Sequence, residues 1–60
     1  MKEFIGKKCF LRIQDTNTKQ ILIYTGHIIN VSDIHIIFID KYDMAQCKLI
    51  SEIIDIKEVA

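Results

Sequence analysis

Four side chains in this 60-residue sequence are soft or borderline metal ligands: Cys9, Cys47, His27 and His35. Four donors make a tetrahedral zinc site, and a cysteine beside a histidine base is the minimum for nucleophilic thiol chemistry. The spacing suits neither. Structural zinc sites take ligands in close pairs such as C-x₂₋₄-C, whereas these four fall on four separate segments. Both cysteines alternate with aliphatic residues, which points them into a core where the attacking thiolate is disfavoured. We expect no metal site, no cofactor, no Cys9 to Cys47 disulfide and no enzymatic role, with both thiols buried as small core hydrophobes. Asp40 and Asp43 flank Tyr42 in a turn, where solvation accounts for their charge, and two glycines, Gly6 and Gly26, are too few for a phosphate-cradling loop.

Recognition chemistry is better provided for. Lys7, Lys8, Arg12, Tyr24 and His27 surround the expected first hairpin and supply phosphate-directed charge with a stacking ring, an arrangement suited to an oligonucleotide or a small nucleotide. Formal net charge is zero, which disfavours nonspecific nucleic-acid binding by the chain as a whole. The charge is uneven, however. Residues 1–20 hold five bases (Lys2, Lys7, Lys8, Arg12, Lys19) and two acids (Glu3, Asp15), a balance of +3, and the remaining 40 residues hold three bases and six acids, a balance of −3.

The elements that must position these groups are strands. Fourteen residues are isoleucine and none is proline, so β-branched side chains dominate nearly the whole length. Lys8 to Ile13 alternates with period two, placing Cys9, Leu11 and Ile13 inside. Asp15 to Lys19 is a polar turn cluster. Gln20 to Val31 is long for one flat strand. Gly26 marks a bend or a close backbone approach, and a bulge near Ile29 and Asn30 brings Tyr24, Ile28 and Val31 onto one side. After a turn at Ser32 and Asp33, Ile34 to Asp40 is apolar on both faces. Met44 to Ile50 follows with Ala45, Cys47 and Leu49 inward, then a 3₁₀ connection at Ser51 and Glu52, then a strand over Ile53 to Ile56. A helix over Leu49 to Val59 is the competing reading, and β-branching argues against it. The expected fold is all-β, one domain over residues 1–60: a small, five-stranded, strongly bent barrel.

Over nearly its whole length the chain resembles the SH3-like and Sm-like small-barrel families. The likeness runs through Ile5-Gly6-Lys7-Lys8 entering the first strand, Tyr24-Thr25-Gly26-His27-Ile28 in the second, and Leu49-Ile50-Ser51-Glu52-Ile53 before the fifth. The resemblance implies a barrel and a tendency to form rings or sheets across subunits.

A core of this size cannot absorb a chain that is half hydrophobic. With Ile36 and Phe38 inside, Ile37 and Ile39, helped by Leu22 or Ile29, are left outside as the expected homo-oligomer interface. The sequence thus reads as a non-catalytic, self-associating binding protein. The competing readings are a protein adaptor or inhibitor docking through an edge strand and the outer apolar face, and a small viral accessory protein that sequesters a signal molecule. Met1 to Phe10 has scattered charge and no secretory character, and no apolar run is long enough to cross a membrane, so a cytoplasmic setting is expected.

Overall fold

Strict alternation makes the first strand. The computed structural model describes residues 1–59, and in it β1 (Lys8–Gln14) buries Cys9, Leu11 and Ile13 while Lys8, Arg12 and Gln14 face solvent. β2 (Ile21–Val31), β3 (His35–Asp40), β4 (Ala45–Leu49) and β5 (Ile53–Glu58) complete one antiparallel sheet in the order β4-β3-β2-β1-β5. A 3₁₀ turn at Lys2–Phe4 lays Met1 and Phe4 on the core, and a second at Ile50–Glu52 carries the chain from β4 across to β5. The segment after Leu49 is therefore 3₁₀ turn and strand rather than helix.

β2 carries the expected bulge. Ile28 lies opposite Phe38 and Asn30 opposite Ile37, which makes Ile29 the extra residue. Ile28 and Val31 are three apart and would face opposite ways on a regular strand; the bulge turns both into the core. A second irregularity in β5 leaves Ile54 unopposed between Ile53 and Asp55, and its side chain points to solvent. The core is Cys9, Leu11, Ile13, Ile28, Val31, Ile36 and Phe38, flanked by Tyr24, Ile50, Ile53 and Ile56.

Turn chemistry sets the registers. In the first hairpin the Asp15 carboxylate accepts from the amides of Asn17 (2.8 Å) and Thr18 (3.1 Å), and Lys19 takes a left-handed conformation. Between β3 and β4, the Asp43 amide donates to the Asp40 carbonyl (3.0 Å), with Asp43 left-handed at φ 64°. This is a type I turn closed by a bulge residue, a common three-residue hairpin loop. Asp40 organises it: Oδ1 accepts from the amides of Tyr42 (2.9 Å) and Met44 (3.0 Å), and Oδ2 from the Gln46 amide group (2.9 Å). These bonds, that from Met44 first, hold the Asp40 carboxyl below its ordinary range.

Two expectations are corrected. Ala45, Cys47 and Leu49 do not face inward; all three are exposed, and Gln46 and Lys48 occupy the inner positions opposite Phe38 and Ile36. The inner side of this edge strand lies at the sheet margin, where long polar side chains cover apolar groups and still reach partners. Gln46 reaches Asp40, and the Lys48 ammonium lies 5.4 Å from the Tyr24 ring centre. Leu22 also changes sides. It lies opposite Ile13 on the inner face, so of the two it is Ile29 that joins Ile37 and Ile39 outside. β4 and β5 are the two free edges of an open sheet, and no ladder joins them among the described residues.

Gly26 is where β2 passes from one partner to the other, opposite Cys9 on one side and Asp40 on the other. A Cβ there would sit 2.9 Å from the Ile39 carbonyl carbon and 3.0 Å from the Asp40 Cα, both backbone atoms that cannot swing aside. Gly26→Ala is expected to destabilise the fold by about 1–3 kcal/mol. Urea unfolding measures this, and an unchanged midpoint would mean that the β2 to β3 contact is looser than described.

Candidate functional site

The outer face of the sheet gathers the side chains that the inner core rejects. On β1 it presents Lys8, Phe10 and Arg12, and directly opposite them on β2 His27, Thr25 and Ile23. His27 is in turn opposite Ile39 on β3. On the same face Ile39 neighbours Ala45, Ile37 neighbours Cys47, and His35 neighbours Leu49. The face thus grades from charged at β5 and β1 to apolar at β3 and β4.

At the seam lies an open concavity of about 530 Å³, with Lys8, His27, Thr25 and Gly26 on one wall and Ile39 and Lys41 on the other. Asp40 and Asp43 also border it. Both Asp40 oxygens are engaged in the turn, so among the described residues Asp43 is the carboxylate left to face the two lysines and the imidazole. A smaller cleft of about 190 Å³ adjoins it, lined by Ile23, Tyr24, Thr25, Asp40, Lys41 and Tyr42.

The structure brings together Lys8 and His27 from the expected ligand-binding set and leaves the others apart. Tyr24 is on the inner face, edge-on to Phe38 with ring centres 5.3 Å apart and planes at 67°. Lys7 precedes β1, and its Nζ lies 3.3 Å from Glu58 Oε1. Arg12 Nε lies 3.9 Å from Asp55 Oδ2, a loose pair. Ile37 and Ile39 are half-buried on the outer face, beside exposed Ala45, Cys47 and Leu49. Lys41 lines both spaces and is not among the residues that the sequence singles out. Its place at the seam follows from how far β3 pairs with β2, which residue types do not encode. Glu52 is a further unread contact: its Oε2 accepts from the Thr16 hydroxyl (2.7 Å) and amide (3.0 Å), fastening the first hairpin to the second 3₁₀ turn.

The cysteines differ. Cys9 is fully buried, and burial pushes its thiol pKa up; Cys47 is exposed, against the expectation that both lie inside, and neither is bridged. Among the described residues no three histidine, cysteine, aspartate or glutamate side chains are grouped so as to hold a metal ion. No helix among them is long and apolar enough to cross a membrane. Compared with family models, curated proteins and solved structures, the chain matches none of them.

Thiol chemistry checks the face assignment. In dilute solution with a disulfide reagent, one thiol, Cys47, is expected to react as an ordinary exposed cysteine, and the second, Cys9, only after denaturant is added. Two equally slow thiols in a monomeric sample would return Cys47 to the core.

Proposed function

We propose that this chain is a non-catalytic binding module that works as an assembly of identical copies, with the outer face of β3 and β4 as the contact between them. One observation carries the reading: Ile37 and Ile39 are continued across the hairpin by Ala45, Cys47 and Leu49, giving an apolar face with no covering element among the described residues. A soluble monomer seldom presents such a face to water. The strand order, the bend of β2 and the 3₁₀ turn before β5 support a small-barrel architecture of SH3-like or Sm-like type, in which assembly through neighbouring subunits is a natural expectation. Reduced thiols at Cys9 and Cys47 suit a cytoplasmic setting.

The ligand we assign to the seam concavity is anionic and of nucleotide type. Lys8, Lys41 and His27 supply charge and hydrogen bonds against the single carboxylate of Asp43, and Thr25 adds a hydroxyl. Protein docking is the second reading. It is favoured by the state of the other cations, since Lys7 and Arg12 are matched by Glu58 and Asp55 and leave little surplus for a polyanion.

Self-association is tested by light scattering from 1 µM upward, on the order of ordinary dimer affinities, with Ile37→Lys as the comparison. The wild type is expected to form a defined assembly in which Cys47 labelling slows as concentration rises. Ile37→Lys should be folded by circular dichroism yet monomeric. A wild type that stays monomeric throughout, with concentration-independent labelling, would reject the assembly.

The ligand reading is tested with fluorescein-labelled hexathymidylate over a salt series. Each phosphate contact removed should reduce the magnitude of the log K against log salt slope by about 0.7. Lys8→Gln is expected to produce that change and Arg12→Gln a smaller one, because Arg12 lies outside the concavity beside Asp55. Equal affinity and slope in wild type and Lys8→Gln would remove the anion from this site.

A further inference from the structure

β2 is longer than either partner, and the mismatch leaves half of it with a free side. β1 covers Ile21 to His27, while β3 covers only Gly26 to Val31. In the β1 to β2 ladder the Ile28 amide donates to the Lys7 carbonyl (3.0 Å) and the Asp15 amide to the Gln20 carbonyl (2.8 Å). Those two bonds set the phase: every second residue between them, Leu22, Tyr24 and Gly26, turns its backbone groups toward β1. Ile21, Ile23 and Thr25 must turn theirs the other way. There β3 has already ended: Ile21 and Ile23 meet no backbone or side-chain partner on that side among the described residues, while Thr25 stands beside the turn at Lys41 with its amide unpartnered. The small cleft between Ile23 and Tyr42 lies along this free edge.

We propose that the N-terminal half of β2, Ile21 to Thr25, is a strand-addition site for an extended, acidic peptide segment seated in the cleft between Ile23 and Tyr42. It is a different surface from the outer face of β3 and β4, and it gives the protein-docking reading above a partner class. Unpaired donors and acceptors recurring at every second residue are matched by another extended backbone and by little else. Around that backbone, Ile23 at 65% exposure and Tyr42 at 74% offer apolar contact on the two sides of the cleft. The lining balances Lys41 against Asp40, and an acidic side chain is favoured because Lys41 is the one of the two open to pairing. Asp40 spends both oxygens on its own turn, whereas the Lys41 ammonium, 5.2 Å from the Tyr42 ring centre, is in no ion pair among the described residues.

The other free edges fit this role less well. β5 displays Asp55, Lys57 and Glu58 and is broken by the irregularity at Ile54, both of which obstruct a further strand. β4 borders the apolar face already given to self-association.

The test is amide-resolved NMR of the full chain and of Ile37→Lys, titrated with the acetylated, amidated peptide Glu-Val-Glu-Val-Glu. Amides of Ile21, Ile23 and Thr25 are expected to shift saturably and gain exchange protection in both proteins, while those of Leu22 and Tyr24, already bonded to β1, change less. The same peptide N-methylated at alternate residues should bind at least tenfold more weakly, as should Lys-Val-Lys-Val-Lys. Ile23→Pro removes one free amide without removing a bond to β1 and is expected to abolish protection at Ile21 and Thr25. Should that variant fail to fold, Lys41→Glu replaces it and is expected to reverse the preference between the acidic and basic peptides. Absence of shifts at these three amides, or shifts indifferent to N-methylation, would overturn the proposal whatever the oligomeric state proves to be. Hexathymidylate protecting the same amides equally well would assign the cleft to the nucleotide instead.

Discussion

The handover on β2 is the constraint on which the other elements depend. Its eleven residues are shared between β1 and β3, and the two pairings overlap only at Gly26 and His27. Because Gly26 lacks a Cβ, the backbone at Ile39 and Asp40 can close onto it. Ile29 then supplies the extra residue that rotates Val31 back inside. Phe38 and Ile36 thereby meet Leu11 and Ile13 in one core. The same handover leaves the β3 to β4 turn standing beside Thr25, and both the seam concavity and the small cleft are spaces around that turn.

A core of seven buried side chains leaves little reserve against fraying, so the contacts that tie the ends and loops matter. The ion pairs do little, since Lys7 with Glu58 and Arg12 with Asp55 are exposed, and such pairs contribute at most about 1 kcal/mol. Glu52 is placed differently. Its carboxylate joins residues 36 positions apart, and the Thr16 hydroxyl and amide hold its pKa below the ordinary carboxylate value. A depressed folded pKa means that this contribution is present above the unfolded value and fades as pH falls through the folded one. The tether therefore belongs to neutral solution.

What was legible in the sequence is what parity and bulk decide. Cys9, Leu11 and Ile13 announce the buried side of β1, because only one phase of that strand is apolar throughout. The β2 bulge could be foreseen because Ile28 and Val31 cannot both be inside a regular strand. Ala-Gln-Cys-Lys-Leu alternates too, and residue type alone assigns its apolar phase inward, whereas the structure turns that phase outward. At a sheet edge the inner position is shallow, and the stems of Gln46 and Lys48 fill it while their heads reach Asp40 and Tyr24. Parity also separates Tyr24 from His27, three residues along the same strand on the Gly26 side of the bulge, so they lie on opposite faces and cannot serve one ligand. The clefts were not legible at all, since they depend on where the β2 to β3 pairing stops.

That dependence bears on what kind of partner this protein suits. The apolar residues left outside fall on β3 and β4, and Lys7 just before β1 and Arg12 within it already stand beside carboxylates of β5. What remains unsatisfied is of two kinds: an apolar sheet face, and a short row of backbone groups along Ile21 to Thr25. An apolar face is non-directional and tolerates many complementary surfaces, of which an identical copy is always at hand at the chain's own concentration. Backbone groups are directional, and being unpaired they stay tied to water unless a strand of matching spacing arrives. The two surfaces lie on different geometric features of β2 and β3, face against edge. Occupying one leaves the other open, so an assembly built on the face still presents one free β2 edge in every subunit.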